Sequence, residues 1–244
     1  MNIIKLDTVD STNSYLKKLA STQENLPNFL TVWTPNQTNG VGQYASKWET
    51  EPYKNLTFSI LCKHTNFELQ HYFLLNMLVS IAVAEVLQTQ NVPEINIKWP
   101  NDILVCKHKV GGILIENVVR NTQIDKSIIG IGLNVNQMIF SGLPKASSLK
   151  KSTGREFDIE DLMKRILKAI QIKFADVQLI NFEDVYAVYK KYLFRLNTIS
   201  VFRTTQNTDF LGIIRGVFPS GELVVELEDE VFKQFSLKEV QMLY

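Results

Sequence analysis

Lys98-Trp99-Pro100-Asn101-Asp102-Ile103-Leu104-Val105-Cys106-Lys107-His108-Lys109-Val110-Gly111-Gly112-Ile113-Leu114-Ile115-Glu116 places two short apolar runs, 103–106 and 110–115, on either side of a basic turn at 107–109. That pattern predicts a β-hairpin. Gly111 and Gly112 fall inside the second strand, where glycine weakens packing and is kept for a bulge or for a ligand lying against bare backbone. Lys109 stands at the mouth of the pair. A fixed cation beside exposed backbone N–H groups suits an anionic ligand, although a turn lysine can equally point into water.

Working outward, residues 2–6 predict a strand and 13–22 a helix with Tyr15, Leu16 and Leu19 on one face. Strands follow at 29–33 and 55–62, the latter alternating Leu56, Phe58, Ile60 and Cys62 against Thr57 and Ser59. Between them 36–47 reads as a polar loop. Residues 67–88 predict a long helix, 95–99, 103–106, 110–119 and 127–135 strands, and 157–177 and 182–194 two amphipathic helices. From about residue 197 the pattern changes to short strands at 199–203, 210–217, 222–226 and 231–235, with a tight turn at Pro219-Ser220-Gly221. The expectation is an α+β chain: a body at 1–196 with a mixed β-sheet and helices packed on one side, then a small SH3-like β-barrel at 197–244.

The chain has 244 residues, 45% of them hydrophobic, enough to build a core of that size. A formal charge of +1 gives no pull toward nucleic acid. The chain opens on a strand with no charged-then-apolar leader, so a cytoplasmic protein is expected. The longest apolar run, 74–86, is interrupted by Asn76, Ser80 and Glu85 and reads as too short and too polar to span a membrane. Cys62 and Cys106 lie in strand-like runs and are expected to be reduced and buried. His64, His71 and His108 have no ligand spacing, so no protein-only metal site is expected.

Three further stretches offer polar groups. Asp10-Ser11-Thr12-Asn13 opens the first helix, where free N–H groups and side-chain donors collect, or where the cluster is a plain N-cap. Gln37-Thr38-Asn39-Gly40-Val41-Gly42-Gln43-Tyr44-Ala45-Ser46-Lys47-Trp48 is a glycine-containing loop that carries little signal alone. Gly130-Ile131-Gly132-Leu133-Asn134-Val135-Asn136 has nucleotide-loop glycine spacing, but no helix follows directly.

Together these stretches resemble the biotin–protein ligases, whose signature is Lys-Trp-Pro-Asn-Asp followed by Lys-x-x-Gly-Ile-Leu. Here it stands as Lys98 to Asp102 and Lys109 to Leu114. The family's body-then-barrel layout, class II synthetase-like in its body, matches the order of elements above. Ser11, Thr12 and Asn13 match the family's Ser-Thr-Asn, which binds the ureido end of biotin, a ring with one C=O and two N–H groups. Gln37, Gly40, Gly42 and Trp48 match the adenylate loop. Val41 does not, because the family has arginine there, and Gln43 stands where a second arginine is usual. Lys47, Lys98 and Lys109 are the cations left to hold phosphate.

The resemblance therefore implies an ATP-dependent ligase that joins biotin, through biotinyl-5′-AMP, to a lysine of a biotin carboxyl carrier domain of the acetyl-CoA carboxylase type. It implies Lys109 as the catalytic residue. Biotin would meet Ser11, Thr12, Asn13, Gln37, Gly40, Gly42, Gly112 and Ile113. The adenylate would meet Val41, Gln43, Trp48, Lys98, Asn101, Asp102 and Asn134, with Gly132 beside them. Biotin and ATP are the substrates and Mg²⁺ comes with ATP, Asp102 being a candidate to organise the ion or the ribose, or else to cap a turn. Neither DNA nor a membrane is an expected partner, since the body starts by residue 2 and leaves no room for a helix-turn-helix. The chain would be a monomer or homodimer. A lipoate or octanoate ligase of the same fold, and a non-catalytic biotin-binding homologue, are the alternatives.

Overall fold

The computed structural model describes residues 1–43, 46–175 and 177–244. The elements run β1 (Ile3–Lys5), α1 (Thr12–Thr22), β2 (Thr31–Thr34), β3 (Gly40–Val41), β4 (Lys47–Trp48), β5 (Leu56–Glu68), α2 (Tyr72–Thr89), β6 (Ile95–Lys98), β7 (Asp102–Val105), β8 (His108–Arg120) and β9 (Gln123–Leu133). They continue as α3 (Leu149–Thr153), α4 (Ile159–Phe174), α5 (Phe182–Tyr192), β10 (Ile199–Thr204), β11 (Asp209–Val217), β12 (Leu223–Glu226), β13 (Phe232–Phe235) and β14 (Val240–Leu243). Seven strands make one sheet in the order β1-β2-β5-β9-β8-β7-β6. β1 runs parallel to β2 and the other pairs are antiparallel, so the sheet is mixed as expected.

The hairpin of β7 and β8 forms, but its turn is shifted. Cys106 and Lys107 are the turn, with φ of 47° and 65°, the paired positive angles that match strand twist in a two-residue connection. His108 and Lys109 already belong to β8, so the expected basic turn at 107–109 is one strand residue too late. Cys106 is half-buried rather than buried for the same reason. Ile103 pairs with Gly111 while Leu104 pairs with Lys109, which leaves Val110 as the extra residue of a β-bulge. Without it Lys109 and Gly112, three apart, would face opposite sides of the sheet. With it they share one face.

Alternation divides the core in two. Phe58, Ile60, Cys62, Ile129, Ile131 and Leu133 point toward α2, α4 and α5. Val32, Leu61 and Ile128 point the other way, where Leu16 and Ala20 of α1 cover them. The expectation of helices on one side holds for the three long helices. Among the described helices α1 sits alone on the opposite face and leaves the rest of that face open for a site. Ser11 caps α1, its Oγ accepting from the Ser14 N–H.

The long helix starts at Tyr72, not at 67, because β5 extends to Glu68 and Phe67 packs there as a strand residue. The helical stretch Leu69–Thr89 is long and apolar enough to cross a membrane by length and composition alone, contrary to the reading of 74–86, and 78% of its apolar 18-residue span is buried inside the protein. The loop at 36–47 contains half of a small hairpin, β3 with β4. Tyr44 and Ala45 lie outside the described residues. The C-terminal strands form a second, antiparallel sheet in the order β13-β12-β11-β10-β14, and β14, missed in the sequence, pairs with β10. This is the SH3-like unit. Trp99 Nε1 donates to the Gly221 carbonyl at 2.9 Å, in the tight turn after β11, and so ties the first sheet to the second.

His64 is 2.8 Å through Nε2 from Ser127 Oγ, whose own proton goes to Asn117 Oδ1 at 2.6 Å. Nε2 must therefore carry the hydrogen, and buried Nδ1 has no partner among the described residues. Burial, opposed in part by the Asp125 charge, lowers the His64 pKa to about 4. The folded value lies below the unfolded one, so the neutral ring's contribution is full above pH 6.5 and is lost as pH falls toward 4. Unfolding in urea at pH 7, 5.5 and 4.5 should show a loss on the order of 3 kcal/mol from this group across the window. His64→Gln should flatten that part of the profile; an unchanged slope in the variant assigns the loss to other groups.

Candidate functional site

A cleft of about 430 Å³ opens on the α1 face of the large sheet, within the range of small-molecule sites. Its floor is bare backbone. Gly112 of β8 pairs with Gly132 of β9, which pairs with Thr57 of β5, and the next row sets Leu114 beside Gly130 beside Ser59. A Cβ on Gly132 would stand 2.5 Å from Cε2 of Trp48, and one on Gly130 would stand 2.3 Å from Asn13 Oδ1. The indole and the amide therefore lie directly on the sheet because those positions have no side chain. Gly112 differs: a Cβ there would be 3.8 Å from both Lys109 Nζ and Trp48 Cζ3, so its absence leaves open space between a cation and a ring. Gly111 faces the core, where a Cβ would be 2.4 Å from Leu133 Cδ2.

One end of the cleft is cationic. The Val110 bulge turns Lys109 onto this face, and its Nζ meets Asp102 Oδ1 at 2.6 Å. Lys98 Nζ approaches Oδ2 of the same carboxylate at 3.8 Å. Burial lowers the Lys98 pKa; Asp102 opposes that shift, and Lys109 and Lys145 add to it. The backbone of Lys109 is pinned to a neighbouring segment, its N–H donating to the Lys145 carbonyl at 2.8 Å and its carbonyl accepting from Ser147 at 2.9 Å. Lys109 Nζ also lies 5.8 Å from the Trp48 ring. Among the described lining residues four lysines, Lys47, Lys98, Lys109 and Lys238, stand with one acid, Asp102, Lys47 being also paired with Glu49 at 2.7 Å. That imbalance suits a polyanion.

The other end is neutral and polar. Thr12 N–H donates to Gln37 Oε1 at 2.9 Å. Ser59 Oγ lies 2.7 Å from Thr12 Oγ1 and 2.6 Å from Asn13 Oδ1. Ser11 caps the helix and also lines the cleft. The second sheet closes the cleft with Ile214, Leu223, Val240, Gln241 and Met242, none of which the sequence singled out.

Fourteen of the sixteen expected residues line this one cleft: Ser11, Thr12, Asn13, Gln37, Val41, Gly42, Gln43, Trp48, Lys98, Asn101, Asp102, Lys109, Gly112 and Ile113. Gly132 lines it too. Gly40 does not. It is buried against β4, where a Cβ would stand 2.4 Å from the Trp48 carbonyl and 2.5 Å from Gln37 Nε2, so it lets the loop close and positions Gln37. Asn134 does not either. Its N–H donates to the carbonyl of the bulge residue Val110 at 2.7 Å and its Nδ2 to the Ser147 carbonyl at 3.0 Å. It braces the Lys109 segment from behind, and its buried Oδ1 has no partner among the described residues. Asn101 lines the cleft while holding β8, its Nδ2 donating to the Ile113 carbonyl at 2.7 Å. Val41 is 41% exposed.

Residues 6–134 match the biotin/lipoate A/B protein ligase family. The bifunctional ligase/repressor BirA of Bacillus spizizenii is 28% identical over 239 residues, which take in 96% of this chain and 72% of that protein. The biotin--[acetyl-CoA-carboxylase] ligase of Paracoccus denitrificans is 25% identical over 232 residues, 90% of this chain and 92% of it. Among solved structures, the biotin protein ligase from Aquifex aeolicus in complex with biotin and ATP superposes with a TM-score of 0.80 at 26% identity, over 99% of this chain and 98% of that one.

The glycine floor makes a sharp prediction. Gly132→Ala puts a methyl 2.5 Å from the indole of Trp48 and 2.7 Å from its Nε1, so the ring must lift off the sheet. The strain should cost about 1–3 kcal/mol of stability, and the displaced ring should block the cleft. Urea unfolding with tryptophan fluorescence checks both; a variant with wild-type stability and an unchanged emission maximum contradicts the packing.

Proposed function

The chain belongs to the biotin/lipoate A/B protein ligase family, and we propose that it joins biotin to a lysine of a biotin carboxyl carrier domain at the expense of ATP. The observation that carries this reading is the polarity of one cleft: a neutral cluster of Ser11, Thr12, Asn13 and Gln37 at one end and lysines about Asp102 at the other, over a glycine floor. A bicyclic ureido ring fits the first end and a carboxylate meeting a triphosphate fits the second. Relatives that carry the ligase name over most of this chain's length support it.

In this reading an oxygen of the biotin carboxylate attacks the α-phosphorus of ATP. The bond from that phosphorus to the β-bridging oxygen breaks, and pyrophosphate leaves. The ε-amine of the carrier lysine then attacks the acyl carbon of biotinyl-5′-AMP, AMP departs with the bonding electrons, and the amine proton is lost to solvent. No protein nucleophile is required, so the chain's contribution is charge and position. Lys109 Nζ meets the carboxylate and α-phosphate oxygens where negative charge grows. Asp102 holds Lys109 and Lys98 on the cleft face until a polyanion takes its place among them. With both its oxygens facing lysines and no second acid among the described lining residues, Asp102 is a poor cation ligand by itself. Mg²⁺ would arrive on the phosphates of ATP. Trp48 walls the ligand, and its buried Nε1–H has no acceptor among the described residues.

Incubation with biotin, MgATP and a carrier domain should add one biotinyl mass to one carrier lysine, with a parallel arm containing lipoate. Transfer of lipoate in preference to biotin, or tight biotin binding with no AMP release, would overturn the reading. Lys109→Ala should keep the fold and slow biotin-dependent pyrophosphate exchange at least about a hundredfold, ~2.7 kcal/mol in barrier. Retention of half the wild-type rate removes Lys109 from the role.

Val41→Arg tests the loop without arginine. Val41 lines the cleft and is 41% exposed, so an arginine there reaches phosphate without burying an unpaired charge. A forked charge-assisted contact of roughly 1.5–3 kcal/mol should slow the off-rate of pre-formed adenylate about ten- to a hundredfold. Faster escape would show that the loop presents residue 41 away from the phosphate.

A further inference from the structure

Asn13 stands in the first turn of α1 with its amide against Gly130, where any side chain would collide with it. Its Nδ2 donates to Glu116 Oε2 at 3.0 Å, and Glu116 Oε1 accepts from Lys17 Nζ at 2.7 Å. Asn13 and Lys17 are one helical turn apart, so both reach the same β8 residue. Glu116 itself is outside the cleft lining and plays no part in the mechanism above.

An ionised carboxylate only accepts hydrogen bonds. The Asn13 amide therefore has one orientation: Nδ2 toward Glu116, Oδ1 toward Ser59. Ser59 Oγ lies 2.6 Å from Asn13 Oδ1 and 2.7 Å from Thr12 Oγ1, and it has one proton for two neighbours. Asn13 Oδ1 can only accept, so the proton goes there. The contact with Thr12 then requires the Thr12 hydroxyl to donate to Ser59. That bond is shorter than the 3.3 Å from Thr12 Oγ1 to Gln37 Oε1, an oxygen that already receives the Thr12 N–H. Thr12 lines the cleft, and its Oγ1 keeps its lone pairs.

We propose that Glu116 is a positioning residue that sets the hydrogen-bond polarity of the neutral end of the cleft, acting through Asn13, Ser59 and Thr12 so that Thr12 Oγ1 meets the ligand as an acceptor. The complementary ligand group is a buried N–H donor, which a ureido ring has and a dithiolane lacks; to that extent the proposal rests on the biotin reading. Glu116 thereby favours biotin over a lipoyl-type substrate.

Glu116→Gln is the test, because it keeps the size and lets an NH₂ turn toward Asn13. Titration calorimetry with biotin should show a Kd raised about tenfold or more, matched by the KM for biotin in pyrophosphate exchange, with kcat and the KM for ATP within about twofold of wild type. In an Asn13→Ala background the same change should alter the biotin Kd by less than about twofold, since the relay is already cut. Wild-type biotin affinity in Glu116→Gln overturns the proposal. So does a fall in kcat and in affinity for both substrates alongside a lowered melting temperature, which marks a purely structural residue. Failure of the unaltered protein to bind biotin overturns the functional reading, and the proposal with it.

Discussion

One extra residue in β8 decides what the large sheet can do. Strand geometry sends alternate side chains to opposite faces, and a ladder in perfect register would bury Lys109 against α2 or aim Gly112 away from it. The bulge at Val110 breaks that alternation once, between Lys109 and Gly111. The cation, the open space above Gly112 and the carboxylate of Asp102 then share one face. A bulge is a local fault in a ladder and needs bracing. Asn134 supplies it, bonding the Val110 carbonyl from one side and the Ser147 carbonyl from another. The segment that includes Lys145 and Ser147 completes the frame around the Lys109 backbone.

The same face shows why stability is given up locally. Glycine in a strand loses packing and adds unfolded-state entropy, yet Gly112, Gly130 and Gly132 stand on adjacent strands over a single area. Each omission has its own tenant: Asn13 above Gly130, Trp48 above Gly132, and open space above Gly112. The loss is answered on the reverse face, where α2 packs Phe73, Leu75, Met77, Ile81 and Leu87 almost completely out of water. A sheet with one glycine-lined face and one aliphatic face opens its cleft on the first and folds on the second.

Much of this was legible in the chain. Strict alternation in 55–62 and helical spacing in the long helices follow from burial on one face, which periodicity reports directly. The glycine pair beside a lysine pointed to a bulge or a ligand; the bulge is there, at Val110, and Gly112 lies open on the cleft. What was illegible depends on partners distant in sequence. The turn sits at Cys106 and Lys107 because cross-strand register with Asp102 to Val105 sets it, not because the residues are basic. Phe67 reads as a helix residue by hydrophobicity, but its pairing with Ile124 makes it strand. β14 alternates weakly and exists because β10 offers it an edge. Gly40 and Asn134 sit within binding motifs but serve the scaffold, a distinction that requires knowing where the side chain, or the space for one, points. Glu116 gave no signal at all, since its significance lies in two residues more than ninety positions earlier.

The second sheet enters the site through few but specific contacts. Its apolar residues Ile214, Leu223, Val240 and Met242 cover the cleft, and Gly221 holds the indole of Trp99, the residue next to Lys98. Tyr244, just beyond β14, lies with its ring 5.1 Å from Lys98 Nζ and 4.4 Å from Lys145 Nζ. Burial and the nearby Asp102 charge both raise its phenol pKa, so the ring stays neutral and its face remains available to cations. Two lysines on one ring and two on one carboxylate make a cluster in which no ammonium is fully answered by a counter-charge of its own. Such a cluster is under mild electrostatic tension when empty and relaxes when several negative oxygens arrive together. In the proposed reading, a preference for a polyphosphate over a single carboxylate would follow from how the two sheets share their charges, and not from any one of the lysines.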